Sequence, residues 1–169
     1  MLLLVGLGNP GSNSVNNRHN IGFKIIDAIN THFKLSKQKP KFKGLLTTGN
    51  IESKKIYAIK PLTFMNNSGT AIKELIDYFK IDAKDVFVFH DDMDIDFGKV
   101  KAKFGGTSAG HNGIDSIDKF IGKDYSRVRV GIGHPKQKKK INNHVLEDFK
   151  EDEEEKIKEI TDSIVKLIP

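Results

Sequence analysis

Apolar positions along this chain recur with two different periods, and the switches between them mark out its elements. Residues 1–7 open with a continuous apolar run, the pattern of a buried first strand, and end in Gly6-Leu7-Gly8. A polar loop rich in Asn and Ser follows. Ile21, Ile25, Ile26, Ile29 and Phe33 then recur at helical spacing and predict a helix over about residues 20–35. Residues 36–43 carry lysines and a proline and read as an exposed loop. Segments 45–51 and 55–60 look like paired strands around a turn near 52–54, with Pro61 closing the second. Asn67 or Ser68 is placed to cap a second helix, whose apolar stripe is Ala71, Ile72, Leu75, Ile76 and Phe79.

The second half repeats the alternation. Val86-Phe87-Val88-Phe89 is an apolar run expected of a strand covered on both faces, and residues 97–104 predict a more exposed strand. A small-residue loop over 105–113 leads into a helix through Ile114, Ile117 and Ile121. Residues 127–133 return as a strand, and 136–140 form a basic loop. Residues 151–168 form an amphipathic helix through Ile157, Ile160, Ile164 and Ile168. Strands alternating with helices predict one domain over residues 1–169, a three-layer α/β/α sandwich around a mixed, mostly parallel twisted sheet. In such folds the functional crevice lies outside the carboxyl ends of the strands. Asn9, Asp91 and His134 all fall just past predicted strand ends, so separate motifs can converge on one rim.

Composition narrows the class. The chain has 169 residues, no cysteine and no apolar run long enough for a membrane helix, and residues 1–5 are too short for a signal peptide. The expectation is a cytoplasmic protein without disulfide or thiolate chemistry. Charge is unevenly spread. Residues 147–169 hold 4 Lys against 9 acidic residues, which leaves 24 Lys and Arg against 13 acids in residues 1–146. The body is therefore +11 and the tail −5, for a total of +6. A body this basic suits a polyanion, and it equally suits a solvated lysine-rich surface.

Several motifs look stronger than they are. Gly6-Leu7-Gly8-Asn9-Pro10-Gly11 matches G-x-G-x-x-G, but the helix pattern starts about ten residues too late, and no acidic residue ends a second strand. Asp92, Asp94 and Asp96 have calcium-loop spacing, yet the glycine falls one place late, at Gly98, and Lys103 stands where Glu is needed. The histidines show no zinc spacing, with His134 and His144 reading as solvated residues beside the basic loop. No G-x-S-x-G elbow exists for a serine nucleophile.

A smaller set of polar residues survives. In Arg18-His19-Asn20, the imidazole of His19 can take a proton from water if a partner holds its tautomer. Asp91, ending an apolar strand, is the best carboxylate for that task. Asn9, Asn66 and Asn112 each offer one acceptor and two donors without charge, suited to amide recognition and to a developing oxyanion. Singly, each reads as a capping or turn residue; together they point to a hydrolytic site.

Six blocks carry a resemblance: Gly6 to Gly11; Arg18-His19-Asn20-Ile21-Gly22; Pro61-Leu62-Thr63-Phe64-Met65-Asn66-Asn67-Ser68-Gly69; His90-Asp91-Asp92-Met93-Asp94; Gly110-His111-Asn112-Gly113; and Arg127 to Pro135. In this order and spacing the sequence resembles the bacterial peptidyl-tRNA hydrolase family. The resemblance implies hydrolysis of the ester between a peptide and the 3′ ribose of tRNA. It implies His19 as general base, Asp91 as its orienting partner, and Asn9, Asn66 and Asn112 on the peptide and ester carbonyls. Met65 is then expected in the substrate groove and His111 in support of the crevice. Lys101, Lys103, Arg127 and Arg129 correspond to the tRNA phosphate-binding region, and loops 105–110 and 136–145 to a gate. The same likeness implies a monomer needing no metal or cofactor.

Departures from the family pattern are Ser14 in place of a tyrosine at the substrate mouth, Asn17 for a threonine, Ala109 for a glycine, and a shorter C-terminus. A non-catalytic RNA-binding member of the same fold is the alternative reading. A nucleotide-dependent enzyme using the first glycine loop is a third.

Overall fold

The computed structural model describes residues 1–135 and 141–168, and the basic stretch 136–140 lies outside the described residues. Seven strands form one sheet in the order β2-β3-β4-β1-β5-β7-β6. They are β1 (Leu2–Gly6), β2 (Lys39–Lys41), β3 (Gly44–Ile51), β4 (Lys54–Pro61), β5 (Val86–Asp92), β6 (Val100–Phe104) and β7 (Ser126–Gly131). The pairs β4–β1, β1–β5 and β5–β7 are parallel, while β2–β3, β3–β4 and β6–β7 are antiparallel. Only β3 and β6 therefore run against the rest, and the expected mixed, mostly parallel sheet is present.

Period-two alternation assigns each strand residue to one of two cores. Leu3, Val5, Tyr57, Ile59, Val86 and Val88 face a layer made by α2 (Ser68–Phe79) and α3 (Asn112–Ile121), through Ile72, Leu75, Ile114 and Ile117. Leu4, Ile56, Ala58, Phe89 and Val130 face the opposite layer. There α1 (Ile21–His32) and α5 (Glu151–Leu167) supply Ile21, Ile25, Ile29, Ile157, Ile160 and Ile164. A short α4 (Ile141–Leu146) precedes α5. No described helix is long and apolar enough to cross a membrane.

Several boundaries differ from the pattern-based expectation, β6 for one beginning at Val100 and not at residue 97. Helix α1 stops at His32 because Lys34 turns left-handed, with φ 52°. Residues 39–41, expected in a loop, pair with β3 as an edge strand. Residues 141–146, expected in a loop, form helix α4.

The glycines of the first loop serve packing. A Cβ on Gly6 would lie 2.1 Å from the Gly22 carbonyl oxygen; one on Gly22 would lie 2.3 Å from Leu7 N and 2.4 Å from Phe89 O. No side chain fits either gap, so the first turn of α1 lies directly on the ends of β1 and β5. The helix begins only at Ile21, which removes the pyrophosphate geometry that the G-x-G-x-x-G pattern requires. This close approach brings His19, just before α1, onto Asp91, at the end of β5. The chain leaves β1 toward β4 and later returns to β5 on the other side, so the meeting point is the crevice where the strand order reverses.

Candidate active site

His19, Asp91 and His111 come from three distant parts of the chain and join by hydrogen bonds. His19 lies in a 3₁₀ turn, Arg18–Asn20, that feeds α1. Its Nδ1 lies 2.8 and 2.9 Å from the two Asp91 carboxylate oxygens. His111 Nε2 lies 2.8 Å from Asp91 Oδ1. Asp91 is almost fully buried, at 2% exposure. Burial by itself would raise its carboxyl, but the neighbouring His19 and His111, each donating a hydrogen bond to it, hold it well below the usual carboxylate range.

Proton positions follow from this network. His111 is the N-cap of α3, and its Nδ1 accepts from the backbone N–H groups of Gly113 (3.0 Å) and Ile114 (3.2 Å). With Nδ1 occupied as an acceptor, the ring proton sits on Nε2 and points at Asp91. His19 donates its Nδ1–H to the same carboxylate, which leaves Nε2 as the basic nitrogen. These three side chains lie close enough together to be considered for a metal ion. The forced Nε2–H of His111 faces the carboxylate, however, and makes the trio a hydrogen-bonded chain instead of a set of converging lone pairs.

A cavity of about 60 Å³, room for a few waters, opens beside this chain. It is lined by His19, Asp91, His111 and Asn112, with the Ser108–Gly110 loop on one side and Val145 of α4 on the other. Asn112 begins α3 and is exposed. Asn9 lies three residues past β1, where its Oδ1 accepts from Met65 N at 2.7 Å. Its backbone N–H and C=O both bond the side-chain amide of Asn20, each at 2.9 Å. Asn66 is exposed on the 3₁₀ turn Met65–Asn67. Ser14 is half-buried in the turn Ser12–Ser14, where its carbonyl accepts from Asn17 N at 3.0 Å.

Two expected site residues are corrected. Met65 does not line a groove. It is 4% exposed within the α2/α3 core, its sulfur is the atom a Cβ on Gly113 would meet at 2.6 Å, and only its backbone N–H serves the site. Arg127 does not face an outside phosphate. It is 1% exposed, pairs with Asp118 at 2.7 Å, bonds the Gly105 carbonyl and lies over the Tyr125 ring. Its guanidinium locks β7 to α3 and to the start of the glycine loop.

The other three basic residues keep some exposure. Lys101 and Lys103 are exposed on β6, and Arg129, directly opposite Lys101 in the β6–β7 ladder, retains partial exposure. Arg129 Nε donates to Asp92 at 2.8 Å, and Asp92 itself lines the cavity. The aspartates read as a possible calcium loop are otherwise engaged: Asp92 also accepts from Asp94 N, Asp94 meets His134 at 2.9 Å, and Asp96 meets Lys99. His144, expected to be solvated, is 8% exposed, with its ring on the Ile132 carbonyl.

Three residues of the motif blocks gain roles that spacing alone did not assign. Asn20 anchors Asn9. Arg18, 3% exposed, bonds the His144 carbonyl and Glu153, each at 3.1 Å, so it fastens α4 and α5 to the turn that carries His19. Phe64 is held at φ 56° with its ring 64% exposed beside Met65 and Asn66. Positive φ is a costly backbone conformation for a residue with a side chain.

His90 completes the cluster. Its Nδ1–H donates to the Asp91 carbonyl at 2.8 Å, and its buried Nε2 has no partner among the described residues. Burial, reinforced by nearby His111, pushes its pKa down to about 3. Between that value and the ordinary 6.5, the unfolded chain binds the proton and the folded one does not, so stability falls as pH drops through this window. The loss at pH 5 is on the order of 2 kcal/mol. Urea midpoints at pH 7 and pH 5 should therefore diverge for the native protein and converge for His90→Phe.

Comparison with known proteins places the chain in a family. Residues 3–169 match the profile of a family described as peptidyl-tRNA hydrolase. Over 165 residues the chain is 73% identical to a peptidyl-tRNA hydrolase of Pelagibacter ubique, covering 98% of this chain and 89% of that one. It is 47% identical over 168 residues to a peptidyl-tRNA hydrolase of Bartonella quintana, covering 99% and 87%. The crystal structure of peptidyl-tRNA hydrolase from Acinetobacter baumannii superposes with a TM-score of 0.92 at 35% identity, covering 99% of this chain and 88% of that one. A glycine-packed strand and helix, an imidazole–carboxylate chain at their junction and a match over nearly the whole length lead to one conclusion: this chain belongs to the peptidyl-tRNA hydrolase family.

Proposed function

We propose that the protein hydrolyses the ester joining a peptide to the 3′ ribose of tRNA, releasing peptide and free tRNA, and so acts as a carboxylic ester hydrolase. The observation that carries this reading is the fixed tautomer of His19: Asp91 holds its Nδ1–H and leaves Nε2 free. That nitrogen takes a proton from a water in the adjacent cavity while the oxygen attacks the ester carbonyl. The amide donors of Asn9 and Asn112 stabilise the oxyanion that forms. His19 then returns the proton to the departing ribose oxygen. An aminoacyl ester is reactive enough for a positioned water, and no covalent intermediate is needed.

Exposed Asn66 is assigned to the peptide amide. Such a contact favours blocked over unblocked aminoacyl groups, because a site built to bond an amide loses partners when it is absent. The exposed ring of Phe64 offers a surface on which a terminal base can stack. Ser14 leaves the substrate mouth without the family's tyrosine. Lys101, Lys103 and Arg129 take the phosphates, and the Ser108–Gly110 loop with α4 frames the entrance. In this reading the protein works as a cytoplasmic monomer without metal or cofactor. Nothing in the family likeness favours the non-catalytic RNA-binding alternative.

The direct test is release of N-acetylated amino acid from N-acetyl-aminoacyl-tRNA, beside release from unblocked aminoacyl-tRNA. Efficient turnover of the blocked substrate alone is expected. No turnover, or equal turnover of both, would overturn the reading. Charge removal at Lys103 or Arg129 should raise KM about tenfold and flatten its dependence on salt, leaving kcat within about threefold. A fall in kcat with unchanged KM would remove these residues from the tRNA contact.

A further inference from the structure

Asn20 occupies the N-cap position of α1, where an asparagine ordinarily turns its side-chain oxygen onto an N–H of the first turn. That bond is worth about 0.5–2 kcal/mol. Here no such bond exists. The side chain, 1% exposed, reaches back to Asn9 instead. Its Oδ1 accepts from Asn9 N at 2.9 Å, and its Nδ2 donates to Asn9 O at 2.9 Å. One carboxamide therefore satisfies both peptide groups of a single residue, as a neighbouring strand would, and fixes Asn9 in position and in rotation.

The Asn9 side chain is then polarised by a third contact. Met65 N–H donates to its Oδ1 at 2.7 Å. Among the described residues nothing bonds Asn9 Nδ2, so the group left to face outward is a donor. Resting on the hydrolase reading above, we propose that Asn20 is a positioning residue for the reaction. It fixes the Asn9 backbone in place, so that the side chain, turned by the Met65 N–H, presents its NH₂ group and not the oxygen to the substrate carbonyl. The buried side chain thus commits both of its polar groups to the backbone of a residue eleven positions earlier and none to its own helix. The consequence is geometric. His19 and Asn20 are consecutive in one 3₁₀ turn, so a single rigid segment sets both the base and the oxyanion donor.

Few side chains can replace this one. Alanine removes both bonds, and aspartate puts a second oxygen against the Asn9 carbonyl. The test is a double-mutant cycle on N-acetyl-aminoacyl-tRNA hydrolysis with Asn9→Ala and Asn20→Ala, using Asn20→Asp should the alanine variant not fold. Loss of Asn20 should lower kcat about 10- to 100-fold with little change in KM, below the loss from deleting a donor outright. The double variant should be no slower than Asn9→Ala alone, because Asn20 acts only through Asn9. Losses that multiply would overturn the proposal.

A substrate-free readout separates this inference from the function itself. Hydrogen exchange at the Asn9 backbone N–H, followed by NMR, should accelerate in either Asn20 variant while the amides of β1 keep their native rates. Unchanged exchange at Asn9 would overturn the positioning role. Accelerated exchange in a protein that does not cleave peptidyl-tRNA would keep the role of Asn20 in the fold and reject the hydrolase reading.

Discussion

Replacing His19 with alanine is expected to lower kcat on N-acetyl-aminoacyl-tRNA by about 100- to 10,000-fold, with KM nearly unchanged. The size follows from having one group able to take the proton at the cavity. His111 has its Nδ1 filled by two backbone donors and its Nε2–H directed at Asp91, so it cannot substitute. His90 is sealed in the interior and stays neutral. On the proposed assignment binding survives, because Lys101, Lys103, Arg129 and Asn66 lie outside the cavity lining. The fold survives because Asp91 still receives the His111 hydrogen bond and is not left as an unpaired buried charge. Single-turnover and steady-state rates on the same tRNA check this directly. Turnover within threefold of the native enzyme would eliminate His19 as the base.

Asp91→Asn should be nearly as damaging, for a less direct reason. His111 cannot change tautomer, so its Nε2–H must still find an acceptor, and the oxygen of the substituted amide is the one within reach. That turns the amide nitrogen toward His19 Nδ1. The oxygen at the Oδ1 position also lies 2.8 Å from His19 Nδ1, but the amide N–H at the Oδ2 position, 2.9 Å away, opposes the Nδ1–H and biases the imidazole toward a proton on Nε2, the nitrogen that has to be empty. A loss of about 10,000-fold in kcat is the scale expected when an orienting carboxylate is replaced and the wrong tautomer results. Stability should respond oppositely at low pH. The depressed Asp91 carboxyl contributes stability present above its unfolded value near 3.8, lost as pH falls toward the folded one. The variant should lack that acid-limb loss. Activity close to native, or an unaltered acid limb, would contradict this account of Asp91.

Much of the layer architecture was legible because one period serves the strands and another the helices. The alternation in β4 and the 3.6-residue stripes of α1, α2, α3 and α5 each fall on a buried face. Strand β2 was hidden because Lys39-Pro40-Lys41 buries no side chain and so carries no apolar alternation. Two of the three clustered side chains, His19 and Asp91, could be picked out as candidates, since a histidine before a helix and an aspartate after an apolar strand are separately visible. Their meeting depends on the Gly6–Gly22 contact, which spacing does not reveal. Arg127 and Met65 were misassigned for one shared reason. A basic or flexible residue near a motif does not announce which way it points, and both point inward. The pair of hydrogen bonds between Asn20 and Asn9 was likewise invisible, because an asparagine ahead of a helix already has an ordinary explanation.

The two peptide donors that fill His111 Nδ1 have a bearing on how protons travel. That ring is a closed end, since it can neither pass a proton onward nor turn over without uncapping α3. On the proposed mechanism, whatever His19 removes from water has no exit through the carboxylate behind it. The same nitrogen must hand it forward to the ribose oxygen. Hydrolysis and leaving-group protonation thus share one carrier, and each catalytic cycle returns the interior hydrogen-bond chain to its starting state without rearrangement.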